Sequence, residues 1–259
     1  MTTFVIKNAD FSGGRLVDYD CPIPDAQVCS WLGGGLDDAV RNFGTGDELV
    51  VGGAPMAIDD LWCRVSAAGF LETGEVMTGN MTFIVVPRLV GSLATGVNRP
   101  AIISNESGDA LVKAGYTLWM GTPTAPETRN IWSNLVYTAP NGTQYIANSG
   151  LKNAERDITK PLFVIGEATR HTSGWLRTTI ETYSEPAESQ GINAGAFTGP
   201  FEFPGNIRIG AMHRADSSAM MAPVDVAFVM VVQRLLTEAE KRKVYNSVRR
   251  RFAAFGVTI

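Results

Sequence analysis

Residues 224–240 of this chain read VDVAFVMVVQRLLTEAE, and they contain the two signals that decide its fold. The first signal is Val224–Val232, which is apolar at every position except Asp225. A short apolar run of this kind predicts a central β-strand that is covered on both faces. The second signal is Thr237–Glu240, which predicts the start of a helix. A buried strand therefore leads directly into a helix near the end of the 259-residue chain.

The predicted helix has a signal at each end. Thr237 and Glu240 form a capping box, in which the threonine hydroxyl accepts a hydrogen bond from the glutamate main-chain amide. Gly256 stands where a C-terminal cap glycine is expected. Between the two ends runs one apolar stripe, formed by Val244, Val248 and Phe252 with Tyr245 beside them. We expect a helix over about residues 237–255 that packs on the sheet by this stripe.

Upstream of this region, strand-like stretches alternate with glycines and prolines. The chain has 27 glycines and 13 prolines, and this punctuation predicts a β protein with many turns. Pro87 follows the first strand and marks an end, a bulge or an edge there. The predicted strands are Thr82–Val86, Ala101–Ser104, Tyr116–Met120, Leu162–Gly166 and Ile207–Ala211.

Two further stretches have clear local patterns. Leu135–Ile146 is predicted to be a hairpin, because Asn141-Gly142 tolerates the positive φ angles of a tight turn. Trp175–Tyr183 alternates with period two, which predicts a strand. One of its faces mixes aromatic and charged side chains, which is typical of a solvated, functional face. The residues of this face are Trp175, Arg177, Thr179, Glu181 and Tyr183.

Bulk composition narrows the class of protein. Hydrophobic residues make up 45% of the chain and charged residues 19%, which suits a β-rich protein with a large core. The formal net charge of −4 argues against a protein that binds nucleic acid over its whole length. The start of the chain lacks the pattern of a signal peptide, and the longest purely apolar run, Val226–Val232, is too short for a bilayer. We expect a soluble protein made in a cytoplasm.

Cysteine and histidine usage argues against metal and disulfide chemistry. Cys21, Cys29 and Cys63 are odd in number and widely spaced, which favours reduced thiols over a disulfide framework or a zinc site. His171 and His213 are the only histidines, so a centre with several histidine ligands cannot form. We therefore expect no metal and no cofactor.

The last fifty residues resemble the end of concanavalin A-like (laminin-G-like) lectin domains. There, a strand ending in Ile-Gly leads to a core strand and then to Leu-Thr/Ser-x-x-Glu at the start of a final helix. Here the same order is given by Ile207–Gly210, Val224–Val232 and Leu236–Glu240. Earlier pieces are similar too, namely Leu71–Gly74 followed by Met81–Val86, and Leu162–Gly166 followed by Trp175–Tyr183.

The resemblance covers roughly residues 25–255 and implies an all-β fold. The implied architecture is a concanavalin A-like antiparallel jelly-roll sandwich with one C-terminal α-helix. We expect residues 1–20 to be an N-terminal arm or edge strand and residues 21–259 to form the lectin-like sandwich.

The style of the chain also resembles lectin-like proteins of tailed bacteriophages and prophages. The features concerned are Met1–Phe4 and Asp37–Asn42 ahead of a glycine-rich turn. The resemblance implies a non-enzymatic tail or fibre protein of the virion, made in the host cytoplasm. It also implies a homotrimer whose partners are other virion proteins or host-surface polysaccharide, with no nucleic acid and no membrane insertion.

A glycan-processing hydrolase is the alternative function. Glucanases of this fold are similar to one another in a Glu-x-Asp-x-Glu strand motif, whose outer carboxylates are the nucleophile and the acid/base. Here Glu181 and Glu185 have that spacing, but Tyr183 replaces the central aspartate and Pro186 follows at once. This departure favours binding over hydrolysis, so no catalytic residue is assigned. A purely structural adaptor is the third possibility.

Other ligand classes have weaker signals. Gly33–Gly35 and Gly44–Gly46 match no phosphate-binding loop, and the serine-hydrolase G-x-S-x-G motif does not occur. The final helix has six basic and two acidic residues in 238–251, a net of +4. A solvated face that complements the helix dipole is the simpler interpretation, and an anionic partner is the other.

Aromatic residues with polar neighbours are the candidates for sugar binding, because rings can stack on sugar faces. Each ring taken alone is more often part of a core. The face that begins at Trp175 is the strongest candidate because it combines rings with charges. The carbohydrate-binding candidates are Trp175, Arg177, Tyr183, Glu181, Trp132 and Tyr145, with Trp119, Tyr137 and Asn134 as further members.

Overall fold

A computed structural model describes most of the chain. The described residues are 19–90, 99–108, 113–121, 129–139, 141–153, 160–170, 174–184, 186–193, 195, 197, 203–213 and 220–259. Residues 1–18, which hold nearly all of the predicted arm, lie outside the described part.

The chain forms sixteen strands and two helices within these residues. The first elements are β1 (Val28–Trp31), α1 (Leu36–Ala39), β2 (Val50–Gly53), β3 (Met56–Ala57), β4 (Cys63–Val65), β5 (Gly69–Met77), β6 (Met81–Leu89), β7 (Ala101–Ser104) and β8 (Ser107–Gly108). The remaining ones are β9 (Lys113–Gly121), β10 (Arg129–Thr138), β11 (Gln144–Asn153), β12 (Val164–Arg170), β13 (Leu176–Thr182), β14 (Ala187–Ile192), β15 (Phe203–Ile209), β16 (Val224–Val232) and α2 (Glu238–Ala254).

The strands form two antiparallel sheets of eight strands each. The helix-side sheet has the order β14-β13-β12-β6-β16-β4-β3, and β1 also pairs with β16. The far sheet has the order β11-β10-β9-β7-β15-β5-β2, and β8 pairs with β9. The predicted antiparallel sandwich with a C-terminal helix is therefore confirmed. The single turn of α1 was not predicted from the sequence.

Two apolar layers hold the far sheet, the helix-side sheet and α2 together. Inward side chains of both sheets form the core of the sandwich, with Leu71, Phe83, Tyr116, Ile131 and Val229 among them. A second layer lies between the helix-side sheet and α2, and includes Ile84, Phe228, Val244, Val248 and Phe252. The stripe predicted for the helix is thus its docking face.

The central strand β16 is buried at all nine positions, as its sequence predicts. Asp225 is only 2% exposed, and its carboxylate pairs with Arg64 at 2.8 Å and Arg88 at 3.1 Å. Pro87 lies inside β6 at a bulge, because the pairing of β16 with β6 shifts between Val226 and Phe228. A bulge accommodates the missing N–H of proline inside a central strand.

The helix α2 has the predicted end signals. Thr237 Oγ1 accepts from the Glu240 amide at 3.3 Å, and Glu240 Oε2 accepts from the Thr237 amide at 2.8 Å. At the other end, Gly256 has φ +72°, and the Gly256 and Val257 amides donate to Ala253 and Phe252. This arrangement is a Schellman cap, in which glycine permits the left-handed conformation.

The predicted hairpin turn and several predicted strand limits differ from the structure. The hairpin of β10 and β11 is present, but β10 ends at Thr138 and β11 begins at Gln144, so the connection is longer than a two-residue turn, and Gly142 has φ +82°. β12 continues past Gly166 to Arg170. A Cβ at Gly166 would collide with the Tyr116 hydroxyl, so this glycine permits close packing of the sheets and does not end the strand.

Candidate functional site

The alternating face predicted for 175–183 is present in β13. Leu176 and Ile180 point into the sandwich core, whereas Glu181 points toward α2. Trp175 and Tyr183 lie just outside the two ends of the strand, and both are half-buried. The strand therefore carries its charged face on the outer side of the helix-side sheet.

The other predicted residues lie apart from this pair. Arg177 is half-buried on β13 opposite Ile192, on the same face as Tyr183 but at the opposite end of the strand. Tyr145 belongs to the inner face of the far sheet, where its ring contacts Phe197 at 5.7 Å. Trp132 lies on the outer face of the far sheet. The structure thus brings Glu181 and Tyr183 together on the helix-side sheet, and it separately places Trp132 next to Trp119 on the far sheet, with ring centroids 6.0 Å apart.

Glu181 and Tyr183 line a cleft between α2 and the β13–β14 hairpin. Its volume is about 750 Å³. The strand side supplies Glu181, Thr182, Tyr183, Pro186, Ala187 and Glu188, and the helix side supplies Glu238, Arg242, Tyr245, Asn246 and Arg249. We refer to this feature as the cleft.

Aromatic rings form the base of the cleft. The rings of Tyr183 and Tyr245 have centroids 5.5 Å apart. Both pack by their edges or faces against the fully buried Phe163, at 6.1 Å and 5.2 Å. The Tyr245 hydroxyl donates to the Ile259 main-chain oxygen at 3.2 Å, which fixes that ring from its far end. The two tyrosines therefore form a backed, ordered apolar surface.

Hydrogen bonds hold one end of the cleft. The Tyr183 hydroxyl donates to Glu238 Oε1 at 2.7 Å, and Arg242 Nε donates to the same oxygen at 2.9 Å. Burial, followed by the neighbouring carboxylates of Glu238 and Glu181, raises the pKa of Tyr183 far above its usual range. The Tyr183 bond, with Arg242, lowers the pKa of Glu238. Tyr183 thus stays a donor and Glu238 an ionised acceptor.

A buried ion cluster holds Glu181, one of the residues that line the cleft. Lys241 is only 8% exposed, and its Nζ lies 2.9 Å from Glu167 Oε1 and 3.0 Å from Glu181 Oε2. Burial alone would lower the pKa of Lys241, but the two carboxylates outweigh it and raise the pKa. Because Glu181 is tied to the helix, its orientation at the cleft is fixed.

The rim of the cleft offers polar groups that have no hydrogen-bond partner among the described residues. Arg249 is exposed, and its guanidinium carbon lies 5.8 Å from the centroid of the Tyr245 ring. Asn246 lies on the same helix face, and Glu188 faces them from β14. Guanidinium and amide groups donate hydrogen bonds, and the carboxylate accepts them. The cleft therefore combines an apolar base with donors on one wall and acceptors on the other.

The basic residues of α2 do not form one continuous charged stripe. Lys241 is buried in its ion cluster, and Arg242 pairs with Glu238. The guanidinium of Arg251 lies 4.8 Å from the centroid of the Trp31 ring. Half of the six cations counted in the sequence therefore serve contacts inside the fold. This distribution favours a structural role for much of the charge over a surface for a polyanion.

Neither a cluster of metal ligands nor a membrane-spanning helix occurs within the described ranges. There, no group of three or more His, Cys, Asp or Glu side chains is arranged to hold a metal ion. No helix in that part of the chain is long and apolar enough to cross a bilayer. The three cysteines are free thiols, and burial raises the pKa of Cys63 to about 11.

Sequence reasoning missed the helix wall of the cleft. Arg242, Tyr245, Asn246 and Arg249 recur at helical spacing, so a shared face was visible in the sequence. The sequence did not show which strand lies opposite this helix face, because β14 and α2 come together only through the packing of the sheet against the helix. Glu185, the second member of the glucanase-like pair, lies outside the described residues.

Comparison with known proteins shows the fold. No family model matches the sequence, and no curated protein is detectably similar to it. The botulinum neurotoxin serotype D binding domain is 14% identical, with a TM-score of 0.53 over 88% of this chain and 52% of that one. The serotype D/C VPI 5993 binding domain is 10% identical, with a TM-score of 0.53 over 86% and 52%.

The sialidase module CBM40 of Ruminococcus gnavus, solved with α2,3-sialyllactose, is a weaker match. It is 14% identical, with a TM-score of 0.44 over 64% of this chain and 82% of that one. The present chain spans about half the length of the toxin binding domains it matches. The likeness to the toxin binding domains supports the jelly-roll β-sandwich fold and assigns no ligand.

Proposed function

We propose that this chain is a non-enzymatic lectin-like domain that binds carbohydrate in the cleft. The observation that carries the proposal is the pair of Tyr183 and Tyr245 rings, backed by Phe163 and bordered by unused donors and acceptors. A pyranose ring has apolar C–H faces and hydroxyl groups that both donate and accept. The cleft offers a partner to each of these groups.

The charges of the cleft favour a neutral, hydroxyl-rich ligand over a polyanion. Arg242 and Arg249 are outnumbered by three carboxylates among the lining residues, those of Glu181, Glu188 and Glu238. The volume of about 750 Å³ falls in the ~300–1,000 Å³ range of small-ligand sites. A short segment of a glycan chain is therefore the ligand class that fits best.

Hydrolysis is less well supported than binding. A retaining glycosidase needs one carboxyl group with a raised pKa to protonate the leaving group. The pKa of Glu238 is instead lowered, and an oxygen of Glu181 is engaged by Lys241. We expect no release of reducing sugar from any polysaccharide that the chain retains. Release that disappears in the Glu181→Gln variant would establish the hydrolase alternative.

A glycan array probed with the purified chain tests the binding proposal. Arg249→Ala should weaken retention of the bound glycans about tenfold, because a hydrogen bond from a charged group contributes ~1.5–3 kcal/mol. Arg250→Ala is the matched control, since Arg250 is equally exposed but does not line the cleft. Equal losses in both variants, or no glycan retained by the unmodified chain, would contradict a site in the cleft.

The biological setting is a separate proposal that is supported by the sequence resemblance given above. We infer a tail or fibre component of a phage virion that binds host-surface glycan or a neighbouring virion protein. The expected assembly is a homotrimer. Light scattering on the purified chain tests the trimer, and immunogold labelling of native particles tests the virion location. A monomer at high concentration, or unlabelled particles, would remove the respective part of this proposal.

A further inference from the structure

The outer face of the far sheet carries an indole ring that lies flat on the strands. Trp132, on β10, pairs with Gly150 of β11 on one side and with Trp119 of β9 on the other. A Cβ added at Gly150 would collide with the six-membered ring of Trp132. One added at Gly121 of β9 would collide with its Nε1 edge. Since these glycines lie on opposite sides of β10, the ring spans three strands.

Glycine at these positions has a specific consequence. Glycine weakens a strand interior and often marks a place where another group approaches closely. Here two glycines leave room for one face of the Trp132 indole to rest on the sheet. The side chain is half-buried, so part of the ring stays accessible from outside. A flat and partly open indole on a rigid sheet is a platform for a planar apolar face.

Polar groups border this platform on the same face. The Trp119 ring lies 6.0 Å from that of Trp132, at an interplanar angle of 18°, and the Arg99 guanidinium lies 4.8 Å from the Trp119 centroid. In the amide orientation that satisfies its neighbours, Asn134 accepts from Trp119 Nε1 at 3.2 Å and donates to Asn148 Oδ1 at 2.9 Å. Asn148 is exposed, and among the described residues its amide N–H groups have no partner. Ring, amide and guanidinium groups thus lie side by side.

The platform and the cleft lie back to back at one corner of the sandwich. The two sheets approach each other there, since the Gly150 amide donates to Ser189 Oγ of β14 at 3.3 Å. The preceding residue, Glu188, lines the cleft. Adjacent side chains of a strand point to opposite faces, so β14 contacts the platform's sheet with one residue and the cleft with the next.

We propose that the Trp132 surface, formed by Trp119, Trp132, Asn134 and Asn148, is a second saccharide site. Its ligand class is a neutral glycan with an exposed pyranose face. The inference rests on the proposed carbohydrate function and adds that each chain is bivalent. Two weak sites on one rigid domain raise retention on a densely presented glycan, because the second binding event becomes intramolecular.

The test is a glycan array with each glycan printed at high and low density. Trp132→Ala should lower retention on dense spots at least about tenfold while binding at low density persists through the cleft. The combined Trp132→Ala and Arg249→Ala variant should lose retention on every spot. Retention by Trp132→Ala equal to that of the unmodified chain at both densities would overturn the second site, even if the cleft binds.

A second variant separates the loss of the flat platform from the simple loss of the Trp132 side chain. Gly150→Ala keeps Trp132 but lifts its ring from the sheet, so it should reduce retention on dense spots as Trp132→Ala does. Gly74→Ala is the matched control, because a Cβ at Gly74 meets nothing within 4 Å. Unchanged retention by a folded Gly150→Ala protein would overturn the flat-platform model. Loss in Trp132→Ala with no effect of Arg249→Ala would instead remove the cleft site and leave the Trp132 surface as the only one.

Discussion

The two halves of α2 dock on the same sheet by opposite chemistry. The C-terminal half inserts Phe252 between Trp31, at a ring distance of 6.1 Å, and Trp62, at 5.8 Å. The N-terminal half inserts Lys241 between Glu167 and Glu181. The aromatic half anchors the helix by a buried ring, whereas the ionic half also fixes Glu181 at the cleft. Arg249 lines the cleft from the C-terminal half, so fold and site overlap along one helix.

Truncation of the aromatic half should have the largest effect on stability. Phe252 is fully buried, so Phe252→Ala should lower the free energy of unfolding by about 3–5 kcal/mol. Denaturant melts measure this loss. Phe255→Ala is the control at the same end of the helix, because that ring is 36% exposed. An unchanged midpoint for Phe252→Ala would show that the aromatic half does not anchor α2.

Truncation of the ionic half should cost somewhat less. Lys241→Ala leaves two nearly buried carboxylates without their cation, and we expect a loss of about 3 kcal/mol, at the low end for breaking a buried pair. It should also weaken glycan retention, since Glu181 is no longer held toward the cleft. Phe252→Ala, assayed where it is still folded, should retain glycan normally.

Two variants complete this comparison. Lys243→Ala is the matched control for charge. Lys243 lies two residues after Lys241 and is exposed, so its loss should change stability by less than ~0.5 kcal/mol. Replacing Lys241 by Met together with Glu167→Gln and Glu181→Gln should restore most of the stability while glycan retention stays low. Equal stability of Lys241→Ala and the unmodified chain would show that the cluster contributes nothing to docking.

The difference between the halves also explains what the sequence could predict. The strand β16, the stripe of α2 and both helix caps depend on local periodicity and end signals, so they were predicted with nearly correct limits. Lys241 follows the same helical phase as Val244 and Val248, which was a signal for its burial. Its carboxylate partners come from two other strands, and local patterns do not specify them.

The two candidate sites show the same limit. Tyr183 and Glu181 were predicted as a pair because they alternate on one strand. Arg249 joins them only because α2 packs across that strand. Trp132 was selected as an aromatic residue, but its flat orientation depends on the register of three strands that places Gly121 and Gly150 beneath it. The register between strands that are distant in sequence cannot be predicted from any short segment.

Removal of the helix cap should have a smaller effect. Thr237→Ala removes the hydroxyl that accepts from the Glu240 amide, and a loss of about 1 kcal/mol is usual for an N-cap of this type. The same denaturant melts measure it. Thr237→Ser is the matched control, since serine keeps the accepting hydroxyl and should stay close to the unmodified chain. A loss as large as that of Phe252→Ala would mean that the cap decides docking.

The smallest expected effect is a dependence of the ionic half on acid. Hydrogen bonds from Arg234, and then from Thr237, lower the pKa of Glu240 from its ordinary value of 4.5 to about 2. A carboxylate whose pKa is depressed by folding contributes stability above its unfolded pKa, and that contribution is lost as the pH falls toward the folded pKa. The unmodified chain should therefore lose stability between about pH 4.5 and pH 2, through this group among others. Glu240→Gln should be less stable at pH 7 but should show a shallower loss over the same interval, measured by melts at each pH. Phe252→Ala should lower stability by a similar amount at each pH of this interval, because its ring packs against Trp31 and Trp62, which do not titrate. Parallel pH profiles for Glu240→Gln and the unmodified chain would place the acid-sensitive contacts elsewhere and remove the N-terminal half of α2 from the acid response.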